Sequence, residues 1–80
     1  MNPRVKEVYP LENYELRLIF VNGEEKVFDI KPYLNTGVFK ALNDPLLFNT
    51  VRPFLGSIAW ANNVDVDPDT LYEDSRKNPA

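Results

Sequence analysis

The segment from Tyr14 to Ile30 constrains the fold of this chain more than any other. Tyr14, Leu16, Leu18 and Phe20 alternate with Glu15, Arg17 and Ile19, the period of a half-buried strand. Val21-Asn22-Gly23 turns the chain, and Lys26 to Ile30 returns it with Phe28 and Ile30 on one face. A two-residue Asn22-Gly23 loop would pair Arg17 with Phe28 and split the large apolar groups between faces. A three-residue loop pairs Leu16 with Phe28 and Tyr14 with Ile30, so that all of them share one face. The second register is predicted, with Gly23 left-handed in a bulged turn. It leaves Ile19 and Val27 on the opposite face among Glu15, Arg17, Glu25 and Asp29. An apolar pair rimmed by charge has the composition of a small contact surface; isolated exposed apolar residues, or cover from short helices, explain it equally well.

The flanking segments complete a small fold. Val5 to Tyr9, between Pro3 and Pro10, is predicted as an edge strand with Val5, Glu7 and Tyr9 on one side and Lys6 and Val8 on the other. Short helical turns are expected at Lys31–Asn35, at Val38–Leu42, and after Asp44-Pro45, where an acidic cap precedes a proline at the first helical position. Val51 to Leu55 is extended and interrupted by Pro53, Gly56 turns, and Ser57 to Trp60 forms a strand. Asp67-Pro68 opens a last helical turn holding Leu71 and Tyr72. The order is three strands, short helices, one or two strands and a helical turn: an α+β domain on a small antiparallel sheet. Residues 1–75 form the single domain and 76–80 a polar C-terminal tail. At 80 residues, stability of roughly 3–5 kcal/mol is expected.

Several function classes are disfavoured. Cysteine and histidine are both absent, which removes the commonest nucleophiles and general bases near neutral pH. Neither Ser57 nor Ser75 lies in a nucleophile elbow. The three glycines are far apart and form no phosphate loop. Net charge is −3 and the nine basic residues are scattered, unlike the concentrated positive face of most nucleic-acid binders. No apolar run is long enough to span a membrane, and no signal-peptide core follows Met1. The chain is therefore expected to be cytoplasmic and non-enzymatic, without a cofactor and without direct nucleic-acid binding.

The remaining candidates are few. Asp65, Asp67, Asp69, Glu73 and Asp74 form an acidic segment. Asp-x-Asp-x-Asp resembles the start of a calcium loop, but Thr70 and Arg76 stand where that loop needs Gly and a bidentate Glu. Asp67 is expected to cap the helical turn, with Asp69 beside it. Asp29 is expected to pair with Arg17 across the hairpin or to cap the turn at Lys31. Trp60 belongs to the core by its alternation with Ile58, with an interface role as the alternative.

Ordered along the chain, Pro3-x-Val5, Phe20-x-Asn22-Gly23-Glu24 with Phe28-Asp29, Gly37-Val38-Phe39, Leu42-x-Asp44-Pro45 with Phe48, and Ile58-x-Trp60 with Asp65-x-Asp67-Pro68-x-Thr70-Leu71-Tyr72 form a pattern. It resembles the bacterial "domain of unknown function 2442" family from Pro3 to Tyr72. The resemblance implies a small α+β domain with no assigned catalytic residues. Its relatives are encoded beside another small protein in an arrangement similar to toxin–antitoxin pairs. Some carry a helix-turn-helix, for which the sequence after Tyr72 holds no counterpart. The resulting expectation is a protein-interaction module, antitoxin-like, with a protein partner or as a homodimer. Ile19, Val27, Trp60, Asp65 and Asp69 are its candidate partner-binding residues. The alternative is a small-molecule or divalent-metal-binding domain using residues 65–74.

Overall fold

In the computed structural model, which describes residues 2–77, strands β2 (Glu15–Phe20) and β3 (Glu25–Asp29) pair antiparallel with Leu16 opposite Phe28. This is the register of the three-residue loop. The Phe20 N–H donates to the Glu24 carbonyl at 2.9 Å, the Gly23 N–H donates to the Phe20 carbonyl at 2.9 Å, and Gly23 takes φ +91°. Leu16, Leu18, Phe20, Phe28 and Ile30 are consequently buried together. Lys26 pairs with Leu18, yet it escapes the apolar layer. Its Nζ donates to the Tyr72 carbonyl at 2.7 Å and lies 3.8 Å from the Tyr72 ring centroid.

Strand β1 (Val5–Pro10) pairs with the other side of β2. Here strict alternation fails. Val5 lies opposite Phe20 but Glu7 opposite Ile19, so Lys6 is an extra residue in the ladder. A bulge shifts the side-chain phase by one. Val5 and Val8 both enter the core, and Glu7 and Tyr9 share the face of Ile19 and Arg17. The predicted grouping of Val5 with Glu7 and Tyr9 is thus corrected.

Beyond β3 the sheet is closed by β6 (Arg76–Lys77), giving the order β1-β2-β3-β6. Arg76 pairs with Val27 and Lys77 with Lys26. Residues 76 and 77, expected in the polar tail, are therefore part of the sheet; 78–80 lie outside the described residues. Both sheet edges are blunted. At β1 the Val5 N–H already donates to the Gly56 carbonyl at 3.0 Å, Lys6 is bulged, and Pro10 has no N–H to offer. At the other edge, β6 is two residues long and cationic. Short, charged, bulged or proline-bearing edges resist pairing with another chain's strand.

The segments between β3 and β6 cover one face of this sheet. Two 3-10 turns, Lys31–Tyr33 and Gly37–Asn43, lead to α1 (Pro45–Phe48). An Asp44 carboxylate oxygen accepts from the Leu46 N–H at 3.0 Å, the expected cap. Strands β4 (Arg52–Phe54) and β5 (Ser57–Ala59) then form a separate two-stranded sheet, closed by a turn in which Leu55 and Gly56 take φ +49° and +84°. Such a turn favours Asn, Asp or Gly at its first central position. Helix α2 (Pro68–Asp74) follows, its Asp67 cap accepting from the Thr70 N–H at 3.1 Å. The core lies between the inner face of the larger sheet and this cover, with Trp60 and Leu71 deep within it. Among the described residues, no helix is long and apolar enough to cross a membrane.

Candidate interaction surfaces

The outer face of the larger sheet brings Ile19 and Val27 together as predicted, but not as an open apolar pair. Arg17 and Arg76 flank Val27 on either side in the ladder. The Arg76 guanidinium crosses β3 to donate to Glu15 at 3.1 Å, while Arg17 pairs with Glu25 at 3.2 Å. Arginine stems cover apolar surface while their charged heads stay wet. Val27 is left 6% exposed and Ile19 half-buried. Val27 is therefore corrected from a contact residue to a covered one. Lys31 completes the array, with Nζ 3.0 Å from Asp29 and 3.8 Å from Glu15. Asp29 also accepts from the Lys31 N–H at 2.9 Å, so it caps that turn, and Arg17 goes to Glu25 instead. These are solvated pairs, each contributing about 0–1 kcal/mol. What they do here is occupy the face.

For Trp60 the structure keeps the core reading and drops the partner-binding alternative. It is 0% exposed, and its indole N–H donates to the Phe48 carbonyl at 3.0 Å. Every residue of β5 is buried, because β4 pairs with it on one side and residues 65–66 bond to it from the other. No surface remains for Trp60 to offer a partner.

Asp65 and Asp69 are exposed. Asp69 accepts a hydrogen bond from the Asn2 side-chain amide at 3.0 Å and lines a cleft of about 230 Å³ with Pro3, Arg4, Leu55, Gly56 and Asp67. A larger cleft, of about 410 Å³, lies between Pro10, Leu11, Glu12, Tyr14, Pro45 and Phe48. Tyr14 stands at its wall, its hydroxyl donating to the Asn43 carbonyl at 2.5 Å and its ring edge-on to Phe48. Among the described residues no three acidic side chains are placed to share a metal ion, and no buried side-chain nitrogen or oxygen lacks a hydrogen-bond partner.

The feature missed in the sequence is Leu55. It is 76% exposed at the tip of the β4–β5 turn, in a left-handed conformation that costs a leucine roughly 1–2 kcal/mol. The sequence signal was available: Leu-Gly stands where a two-residue turn would ordinarily carry Asn-Gly.

The ionisable groups that depart from their ordinary values do so through local bonds. Hydrogen bonds from Asn22 and Tyr72 hold Glu24 below 4.5. Partial burial works against Asp29 ionising, but the bonds and charge of Lys31 bring it below 3.8 nonetheless. Tyr9 and Tyr72 are raised above 10.0 by donating to Glu7 and Glu24, and Tyr33 by burial and its bond to Asp74. A depressed carboxyl stabilises the fold above its unfolded pKa and stops doing so as pH falls through the folded value. A raised tyrosine stabilises it below its unfolded pKa and stops as pH rises through the folded value. With no histidine in the chain, the melting temperature should be level from about pH 5 to 9 and decline on both sides. A step near pH 6.5 in a calorimetric pH series would contradict this.

These observations define a class: a small α+β domain whose buried polar side chains, among the described residues, are hydrogen-bonded, whose larger sheet has blunted edges, and which exposes apolar side chains at the turns of Val21 and Leu55. The chain belongs to the family described as protein of unknown function (DUF2442), whose model matches residues 5–77. The match reaches Lys77 and so takes in β6. No curated protein matches the chain, and no solved structure does.

Proposed function

We propose that this chain is a cytoplasmic, non-enzymatic protein-interaction module, the neutralising, antitoxin-like half of a bacterial two-protein pair. The observation that carries this reading is the placement of two of its exposed apolar side chains. Leu55 and Val21, 76% and 61% exposed, stand on turns at the same end of the molecule, tied through β1. The Val21 N–H donates to the Arg4 carbonyl and the next residue, Val5, donates to Gly56. Neither side chain serves the core. The outer sheet face meanwhile satisfies its own charges, and both edges resist strand addition, so a partner would be held through side chains at this end. The net charge of −3 favours a basic partner, whose approach would be accelerated by complementary charge and slowed by salt. Neutralisation would then be steric and electrostatic masking of the partner's working surface.

The test is co-expression of the tagged full chain with the product of its neighbouring gene, followed by reconstitution from the two purified proteins. A near-equimolar complex that weakens between 50 and 500 mM salt, roughly the range over which surface charges become screened, is expected. Two proteins that elute separately at low salt, or this chain alone as a homodimer, would sink the proposal.

A further inference from the structure

Leu55 is costly in two ways: its backbone is left-handed, and most of its side chain is in water. Local rules broken without gain to the fold are expected where a chain meets something else. Leu55 lines the smaller cleft, together with Pro3 and Pro68, two carboxylates, Asp67 and Asp69, and one guanidinium, Arg4. Asp67 is engaged in capping Thr70, through both its N–H and its hydroxyl. Among the described residues Asp69 accepts from Asn2 alone, through one oxygen, and it is exposed. Arg4 packs against the turn itself, within 3.1 Å of the position a Cβ would take on residue 56. Together with its φ of +84°, this favours glycine there. The cleft thus joins an exposed leucine and two prolines to an excess of one negative charge.

We propose that this cleft is the docking site for a segment of a protein partner that presents an apolar side chain next to a lysine or arginine, the apolar group seated against Leu55 and the cation at Asp69. The assignment rests on the interaction reading above and deepens it by naming the surface and the chemistry it accepts. Charge complementarity selects this occupant. An acidic segment would meet two carboxylates, and an uncharged one would leave Asp69 facing apolar surface without compensation. The larger cleft at Tyr14 carries one carboxylate, Glu12, and nothing there argues for a particular occupant.

The experiment titrates the isotope-labelled full chain with two synthetic peptides, capped Lys-Leu-Lys-Leu-Lys and capped Glu-Leu-Glu-Leu-Glu, followed by amide chemical shifts. The basic peptide should move the signals of Arg4, Phe54, Leu55, Gly56 and Asp69, and the acidic one should not. Leu55→Asn should weaken binding by about fivefold or more, as should Asp69→Asn. Leu55→Asn should also melt at the same or a higher temperature, because asparagine tolerates the left-handed turn. Loss of binding therefore cannot be confused with loss of fold. No shifts at millimolar peptide, shifts centred on Tyr14 or on Ile19, or unchanged affinity in Leu55→Asn would overturn the assignment. So would a dimer of this chain that Leu55→Asn dissolves, since the cleft would then belong to a second copy. If the two-protein complex forms and survives Leu55→Asn, the site falls and the interaction reading stands. If no complex forms while the peptides behave as expected, the reverse holds.

Discussion

Replacing Trp60 with alanine unfolds this domain. The side chain is fully buried, and truncating a buried aromatic to alanine costs about 3–5 kcal/mol. An 80-residue domain has roughly that much stability in total. The loss is concentrated because Trp60 ties α1 to the segment at Val64. Its ring lies 6.5 Å from that of Phe48 on α1, its indole N–H donates to the Phe48 carbonyl, and its backbone N–H donates to the Val64 carbonyl at 2.9 Å. Trp60→Phe separates volume from hydrogen bonding. It keeps most of the apolar bulk but removes the indole donor, leaving the Phe48 carbonyl with the longer bond from the Val51 N–H at 3.4 Å, a loss of about 0.5–1.5 kcal/mol. Urea unfolding followed by far-ultraviolet circular dichroism should show a folded but weakened Trp60→Phe variant and no cooperative transition for Trp60→Ala. A Trp60→Ala protein that still unfolds cooperatively, within about 1 kcal/mol of the parent, would show that the hairpin and α1 do not depend on this side chain.

Leu71→Ala should remove about 3 kcal/mol and do so unevenly. Helix α2 has seven residues, too few to be stable alone, and Leu71 is its fully buried residue. The helix also carries the contacts that hold the chain's end to the sheet. The Tyr72 hydroxyl donates to the Glu24 carboxylate at 2.8 Å, the Tyr72 carbonyl accepts from Lys26, and Ser75 bonds back to that same carbonyl at 2.9 Å. Strand β6 begins one residue later. Undocking α2 should therefore release β6 and expose Val27 from under Arg76. Hydrogen exchange should lose protection first across residues 68–77, while β1, β2 and the paired part of β3 keep theirs at low denaturant. Uniform loss of protection would mean that α2 and the sheet unfold as one unit.

Much of the fold was legible because its determinants are close in sequence. Asp44 and Asp67 cap the helices that begin at the next residue. Gly23 closes a hairpin whose register follows from keeping Leu16 and Phe28 on one face. What could not be read locally was decided by contacts across the chain. Lys6 is bulged because Val5 must meet both Phe20 and Gly56, and no period within Val5–Pro10 encodes that. Arg76 is a strand residue because Val27 and Glu15, far upstream, receive it. The candidate site divides in the same way. Asp69 was named from its place in the acidic segment. Leu55 was not, although Leu-Gly between two extended stretches was there to be read; its exposure and its place beside Arg4 come from the tertiary structure.

The sequence by itself determined the class of fold, the inner face of the hairpin and the helix starts, because hydrophobic period and capping act over a few residues. Only the tertiary structure decided that Val27 is covered and that Leu55 is not, because exposure is set by which distant elements arrive to take a side chain out of water.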